Sequence, residues 1–272
     1  MPDPSEVLDR PAPPPDLTLR YGPAADHVVD VRLPAGEGPH PLAIVVHGGF
    51  WRAAFDRAHA GPQSAGLAAA GWVVATVEYR RVGQRGGGWP GTFDDVARLS
   101  DTVIGLAADA APGRVDAGRV VLVGHSAGGH LALWAAARHR LPPASPWHRA
   151  EPLPVRGVVS LAGVADLALA DRLHLGGDAT RALLGGDPAT HPERYAQADP
   201  GVLIGAGRVI LVHGTADEQV PVEVSRWYVD RAQSTGVVVR LEELAGIGHY
   251  ELIDPLSPAW PAVLAAMAEL TR

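Results

Sequence analysis

The chain has 272 residues, no cysteine and a formal net charge of −7. This length suits a single α/β domain with a sizeable core, and the lack of cysteine excludes disulfides, cysteine-ligated metals and a thiol nucleophile. The negative charge argues against a surface for nucleic acid or anionic membranes. No apolar run reaches the ~18 residues of a membrane span, and the absence of cysteine fits a cytoplasmic location.

Residues 1–20 are predicted to form a Pro-rich N-terminal arm. Pro11, Pro13, Pro14 and Pro15 favour an extended conformation, which is either loose or draped over the surface. The arm lacks the basic end and the apolar centre of a signal peptide, so we expect none here.

After the arm, strand-like apolar runs alternate with helix-like segments. The predicted strands cover residues 27–33, 42–46, 72–77, 120–125, 155–161, 208–213 and 237–242. The predicted helices cover about 63–70, 92–111, 127–139, 221–235 and 258–270. The first strand alternates in part and is expected to be outer and antiparallel, whereas the others are typical of buried parallel strands. This order predicts a mostly parallel central sheet with helices on both faces.

One segment, residues 165–204, interrupts this alternation. It contains no clear strand, many Gly and Asp-Pro breaks, and short helical pieces. An insertion longer than an ordinary connection usually has a function. We therefore predict a small helical cap over the site, within a single domain that spans residues 21–272.

The most informative stretch, Gly124-His125-Ser126-Ala127-Gly128, joins a buried strand to a helix. Strand, sharp turn with a central serine, and helix is the arrangement of a nucleophile elbow. The flanking glycines are needed because a Cβ there would clash with the neighbouring strand or helix. His125 is expected to be structural. The alternative is a Gly-rich turn with an idle serine, since the chain contains 32 Gly.

Two further side chains complete a candidate catalytic triad. A serine needs a neighbouring base, and His249, in the loop after the last strand, is the candidate. Asp217, which follows the preceding strand, is the candidate that orients the base; Glu218 and Asp166 are alternatives. Ser126, Asp217, His249 is the chain order expected for this architecture, and the carboxyl ends of parallel strands meet at one edge of a sheet.

The donors of an oxyanion hole are predicted at two places. The N–H of Ala127 directly follows the nucleophile, and the N–H groups of Gly49 and Phe50 lie in the loop after the second strand. Gly48 is a further candidate in that loop, where glycine lets the backbone approach a substrate closely. The alternative is a glycine turn without a catalytic role.

Aromatic residues near these positions are candidates for substrate contacts. Trp51, Trp89 and Tyr250 are predicted to bind substrate, and Tyr250 adjoins the candidate base. The alternative for Trp51 and Trp89 is that they only pack in the core. Trp147 is a further candidate, and for it this alternative is the stronger one. The histidines show no metal-binding spacing such as His-Glu-x-x-His, so no metal site is predicted.

These motifs carry a resemblance from about residue 42 to 270. The chain resembles α/β-hydrolase-fold enzymes of the esterase and lipase group. His47-Gly48-Gly49 is similar to the His-Gly-Gly-Gly oxyanion motif of hormone-sensitive-lipase-like esterases. Together with Phe50-Trp51 and the serine motif, it is closer to kynurenine formamidase and its bacterial relatives. The resemblance implies a Ser-Asp-His triad, no cofactor, and hydrolysis of esters or small amides.

We therefore expect a serine hydrolase that cleaves short-chain or aryl carboxylic esters, including N-formyl amides such as formylkynurenine, through an acyl-enzyme. Phe50 stands where lipases have a third glycine, which predicts a narrow acyl pocket. A small-molecule substrate is the one partner predicted, and the oligomeric state is left open. The alternatives are a peptidase or amidase of the same fold, an acyltransferase, and a non-catalytic ligand-binding protein.

Overall fold

The structure is a computed structural model that describes residues 3–205 and 207–272. Its strands are β1 Leu17–Arg20, β2 Val28–Arg32, β3 His40–Val46, β4 Val73–Val77, β5 Val115–His125, β6 Gly157–Leu161, β7 Arg208–Gly214 and β8 Val238–Leu244. They form an eight-stranded sheet in the order β1-β2-β4-β3-β5-β6-β7-β8. The β1/β2 and β2/β4 pairs are antiparallel and the other neighbours are parallel, so the sheet is mostly parallel as the sequence predicts.

Helices cover both faces of the sheet. The α-helices are α1 Gly61–Ala69, α2 Gly91–Ala110, α3 Ala127–Ala137, α4 Leu167–Arg172, α5 Ala179–Leu184, α6 Pro192–Ala198, α7 Glu223–Ala232 and α8 Trp260–Leu270. Short 3₁₀ helices cover Pro4–Leu8, Arg57–Ala60, Arg138–Arg140 and Tyr250–Ile253. Leu42 and Ile44 of β3 belong to the core layer of α2 and α3, whereas Ala43 and Val45 belong to the layer of α1 and α8. Among the helices of the described residues, none has the length and apolar character that a membrane crossing requires.

Some local predictions differ from the structure. Strand β1 lies within residues 1–20, which were predicted as arm, because four residues of weak alternation are too few to stand out from a Pro-rich context. Helix α2 begins at Gly91, one residue before its predicted start, and the Thr92 hydroxyl donates to the carbonyl oxygen of Arg80 at 2.6 Å.

The turn between β5 and α3 brings three backbone segments into contact. Ser126 has φ 55° and ψ −121°, a conformation that L-residues rarely adopt. A Cβ on Gly124 would lie 2.1 Å from the carbonyl oxygen of Gly128, and a Cβ on Gly128 would lie 2.0 Å from the carbonyl oxygen of Val46 in β3. The glycines are therefore required because backbone from the neighbouring strand and helix occupies the space of a side chain.

We expect Gly128→Ala to destabilise the fold by about 2 kcal/mol or more, because the new methyl group would overlap a backbone oxygen of β3 that cannot move independently. Gly105→Ala is the matched control. Gly105 lies inside α2 and a Cβ there would meet nothing within 4 Å, so alanine should stabilise the chain by roughly 0.5–1 kcal/mol. Urea unfolding of both variants measures the difference, and equal stabilities would contradict this account of the elbow.

The N-terminal arm is draped over the face of the sheet that carries α1 and α8. Val7 is fully buried in the core layer of these helices. Arg10 forms a bidentate ion pair with Asp254 at 2.5 and 2.9 Å. Further along, the Arg32 guanidinium donates to two proline carbonyl oxygens of the arm. These contacts hold the arm in one position along its length.

The segment 165–204 contains α4, α5 and α6 and no strand. Asp166 accepts a hydrogen bond from the N–H of Leu169 at 2.7 Å and caps α4. Between α4 and α5, the carbonyl oxygen of Gly176 accepts a hydrogen bond from Arg52, in the loop that follows β3. The segment therefore touches the loop in which the oxyanion donors are predicted.

Candidate active site

The predicted site residues follow four of the parallel strands at the carboxyl edge of the sheet. Ser126 directly follows β5, Asp217 follows β7, His249 follows β8, and the Gly48-Gly49 turn follows β3. A cavity of about 240 Å³ opens there and is lined by Gly49, Phe50, Ser126, His249 and Tyr250, among others. The structure thus brings the candidate nucleophile, the candidate base and the predicted oxyanion loop to one cavity.

Asp217 lies directly behind His249. Its Oδ2 accepts a hydrogen bond from His249 Nδ1 at 2.6 Å, and its Oδ1 accepts the N–H groups of Gln219 and Val220, both at 2.8 Å. His213 Nε2 lies 3.4 Å from the same Oδ2. Burial raises the pKa of Asp217, but hydrogen bonds from His213 and His249 outweigh burial and hold this pKa below its ordinary value. Asp217 is therefore a carboxylate at neutral pH, which is the form that orients an imidazole.

The alternatives to Asp217 do not occupy this position. Glu218 is exposed beside it, and Asp166 is used as the cap of α4. In the described part of the chain, Asp217 is the carboxylate that pairs with the His249 ring.

Ser126 and His249 are both almost completely buried and face the same cavity. Within the described residues, no hydrogen bond joins the Ser126 hydroxyl to the imidazole; such bonds are often long before a substrate binds. His125 fixes the loop from the other side. Burial and the neighbouring His249 lower the pKa of His125 well below its ordinary value, so its neutral ring can donate from Nε2 to the His249 carbonyl oxygen at 3.1 Å.

The predicted oxyanion loop lies against the nucleophile. A Cβ on Gly48 would be 3.1 Å from the Cβ of Ser126. Gly49 and Phe50 both have positive φ, 103° and 49°, so the chain turns sharply here. Within residues 3–205 and 207–272, the N–H groups of Gly49, Phe50 and Ala127 donate to no protein acceptor. Gly49 and Phe50 line the cavity, and Ala127 is buried directly after Ser126.

Residues at the end of β4 support this loop, and the sequence analysis did not assign them a role. Glu78 Oε1 accepts a hydrogen bond from His47 Nε2 at 2.9 Å, and the Tyr79 hydroxyl donates to the His47 carbonyl oxygen at 2.8 Å. Burial raises the pKa of Glu78, but the bond from His47 and the N–H of Arg57 lower it to about 2. Their position in the sequence could have indicated this role, because Glu78 and Tyr79 directly follow β4, the strand that pairs with β3.

The structure places two of the three predicted substrate contacts, Trp51 and Trp89, away from the cavity that contains Ser126. Trp51 is 1% exposed and its Nε1–H donates to His130 Nδ1 at 3.2 Å, so it packs in the core. Trp89 packs against Phe93 and Trp147, with ring centroids 5.3 and 4.8 Å away. Both side chains bury apolar area against other aromatic residues and neither lines the cavity that contains the serine.

Tyr250, the third predicted contact, does line the cavity. Other lining residues come from distant parts of the chain and were not predicted: Leu8 of the arm, Phe55 and His59 after the oxyanion loop, and Gly176 of the segment 165–204. Among the described residues, no group of three or more His, Asp or Glu is placed to hold a metal ion.

Comparison with known sequences gives one family and three related proteins. The sequence model of the BD-FAE family matches residues 29–231. Esterase LipC of Mycobacterium tuberculosis is 30% identical over 250 residues, which are 86% of this chain and 59% of LipC. Probable carboxylic ester hydrolase LipM of the same organism is 28% identical over 71% of this chain and 45% of LipM. Isoprenylcysteine alpha-carbonyl methylesterase ICME of Arabidopsis thaliana is 26% identical over 88% of this chain and 58% of ICME. The chain spans about half the length of these relatives.

Solved structures agree on the fold. A truncated carbohydrate esterase from gut microbiota superposes with a TM-score of 0.76 at 20% identity and covers 94% of this chain and 96% of its own. Esterase B from Lactobacillus rhamnosis superposes with a TM-score of 0.75 at 18% identity, and the match covers 98% of this chain and 90% of the esterase. Est2 from Thermogutta terrifontis superposes with a TM-score of 0.70 at 24% identity, and the match covers 94% of this chain and 92% of Est2. The predicted α/β-hydrolase fold is confirmed.

Proposed function

Because the chain belongs to the BD-FAE family, whose members have the α/β-hydrolase fold, we propose that it is a serine hydrolase of carboxylic esters. The single observation that carries this proposal is the carboxylate–imidazole pair, Asp217 to His249 at 2.6 Å, behind a cavity that also contains the Ser126 hydroxyl. The names of the related proteins, an esterase, a carboxylic ester hydrolase and a methylesterase, support the same chemistry.

In the proposed reaction, Ser126 Oγ attacks the ester carbonyl while His249 Nε2 accepts the hydroxyl proton. The negative charge that develops on the carbonyl oxygen is stabilised by the free N–H groups of Gly49, Phe50 and Ala127. The alcohol leaves with the proton that His249 returns, and an acyl-enzyme remains. A water molecule then attacks the acyl carbon while His249 takes its proton, and the acid leaves as that proton passes to Ser126 Oγ and restores the hydroxyl. Asp217 stabilises the cationic imidazole in both halves.

The shape of the cavity favours small acyl groups. The Phe50 ring stands at its edge, and a Cβ on Gly176 would lie 2.7 Å from that ring. The segment 165–204 is therefore packed directly against the side chain that replaces the third glycine of the lipase motif. We propose acetyl to butyryl groups as the acyl portion, with N-formyl amides as a second class of small acyl substrate.

The test is a ladder of p-nitrophenyl esters together with formylkynurenine and labelling by a fluorophosphonate. We expect rapid hydrolysis of the acetate and butyrate, a rate roughly tenfold or more lower for the octanoate, and one covalent label per chain. Amino-acid anilides are expected to be cleaved much more slowly than the esters, which separates an esterase from a peptidase. A chain that neither turns over the acetate nor takes up the label would be a ligand-binding protein instead.

A further inference from the structure

A second and larger cavity adjoins the catalytic one. It has a volume of about 610 Å³ and lies between the N-terminal arm, residues 8–15, and the loop of residues 54–61. Leu8, Phe55 and His59 line both cavities. These three side chains are therefore the boundary between the site of the chemistry and the space beneath the arm.

The arm lies on the His249 side of the catalytic cavity. Its 3₁₀ helix, Pro4–Leu8, packs against the helix Tyr250–Ile253, which begins directly after His249. Leu8 also lines the catalytic cavity together with His249 and Tyr250. In ester cleavage the base returns its proton to the leaving alcohol oxygen, so the alcohol portion must lie within reach of His249. The arm is thus placed to contact the alcohol portion of a substrate rather than its acyl portion.

The larger cavity is lined by apolar and charged residues, and its cationic groups are already paired. Arg10 is held by Asp254, and Arg57 Nε donates to Asp30 Oδ2 at 2.7 Å. Arg32 is engaged by carbonyl oxygens of the arm. The lining also contains Asp9 and Asp56, and neither carboxylate pairs with a cation among the described residues. An anionic ligand would have to break one of the existing pairs and would face these carboxylates, whereas an uncharged polar ligand would do neither.

His59, at the boundary, is uncharged at neutral pH. Burial and the charge of the neighbouring His47 lower the pKa of His59 to about 4. A neutral imidazole offers one donor and one acceptor, which suits hydroxyl or ether groups of an alcohol portion. The boundary therefore combines two apolar side chains with one uncharged polar ring.

We propose that the cavity under the N-terminal arm is the subsite for the alcohol portion of the ester, that it takes uncharged polar alcohols rather than anionic ones, and that Leu8 limits their size. This inference rests on the proposed esterase function. Leu8 can act as a fixed limit because the arm does not swing freely: its neighbour Val7 is fully buried, and Arg10 is paired with Asp254.

The test compares the hydrolysis of two ester series by the full chain. The rate is measured as the release of acid. One series keeps the acetyl group and enlarges the alcohol from ethanol to glycerol and to phenylethanol; the other keeps ethanol and lengthens the acid from acetate to hexanoate. Leu8→Ala is expected to raise kcat/KM for the larger alcohols, relative to ethyl acetate, by roughly threefold to tenfold, and Leu8→Trp to lower it. The ratios within the acid series should stay unchanged in both variants.

Leu19→Ala is the matched control, because Leu19 is a partly buried leucine of the edge strand β1, away from both cavities. It should leave both series unchanged. Comparing glycerol monoacetate with acetoxyacetate, whose alcohol portion carries a carboxylate, tests the charge preference, and we expect at least about a tenfold preference for the uncharged ester. The inference is overturned if the Leu8 variants shift the acid series, if they shift neither series, or if acetoxyacetate is preferred. Loss of the proposed function would look different, since the unmodified chain would then fail to hydrolyse ethyl acetate at all.

Discussion

Replacing Ser126 with alanine is expected to lower kcat for p-nitrophenyl acetate by at least about 10⁴-fold while the chain remains folded. Without the hydroxyl no acyl-enzyme can form, and the oxyanion donors alone provide little rate enhancement. Stability should change little for two reasons. The backbone strain at φ 55° is the same for alanine as for serine, and within the described residues the hydroxyl makes no hydrogen bond that the substitution would break. Initial rates and far-UV circular dichroism measure the two quantities.

Ser257→Ala controls for a general effect of removing a serine. Ser257 Oγ accepts the N–H of Ala259 at 2.9 Å before α8, it does not line the catalytic cavity, and it has no role in the proposed reaction. This variant should keep full activity with a small loss of stability. If Ser126→Ala retained more than about 1% of the original rate, the hydroxyl could not be the nucleophile.

The fold was predictable because its signals are local. Continuous β-branched runs such as residues 120–123 mark buried parallel strands, and the glycines at 124 and 128 mark a turn with no space for a Cβ. The triad candidates were predictable from chain order together with one rule, that parallel strands end at the same edge. The structure then places Asp217 and His249 in contact across the ends of β7 and β8, which no local pattern could establish.

The remainder of the site depends on long-range contacts. Trp51 and Tyr250 both follow strands in Gly-containing loops, yet Trp51 turns into the core toward His130 while Tyr250 faces the cavity. Which direction each takes is decided by packing partners many residues away. The same holds for Leu8, whose place in the cavity depends on where the arm docks and not on the prolines that follow it.

The second large effect is expected for Asp217→Asn, which should lower kcat by roughly 10³- to 10⁴-fold and leave KM nearly unchanged. The structure fixes how the new amide would lie. Because two backbone N–H groups, from Gln219 and Val220, donate to Oδ1, that position must remain an oxygen. The amide NH₂ would therefore face His249 Nδ1 and donate to it. The imidazole would then carry its proton on Nε2, where it could not accept one from Ser126.

Two carboxylates provide matched controls for this substitution. Glu218→Gln changes the exposed neighbour of Asp217 and should alter kcat by less than about twofold. Asp166→Asn should also keep its activity, because the amide oxygen of asparagine can still cap α4 by accepting the N–H of Leu169. The pH dependence of kcat should also be compared among the three variants, as a second criterion. If either control lost activity as severely as Asp217→Asn, or if Asp217→Asn kept more than about a tenth of the original kcat, another carboxylate would have to orient the base. In that case the 2.6 Å contact between Asp217 and His249 would have no catalytic role.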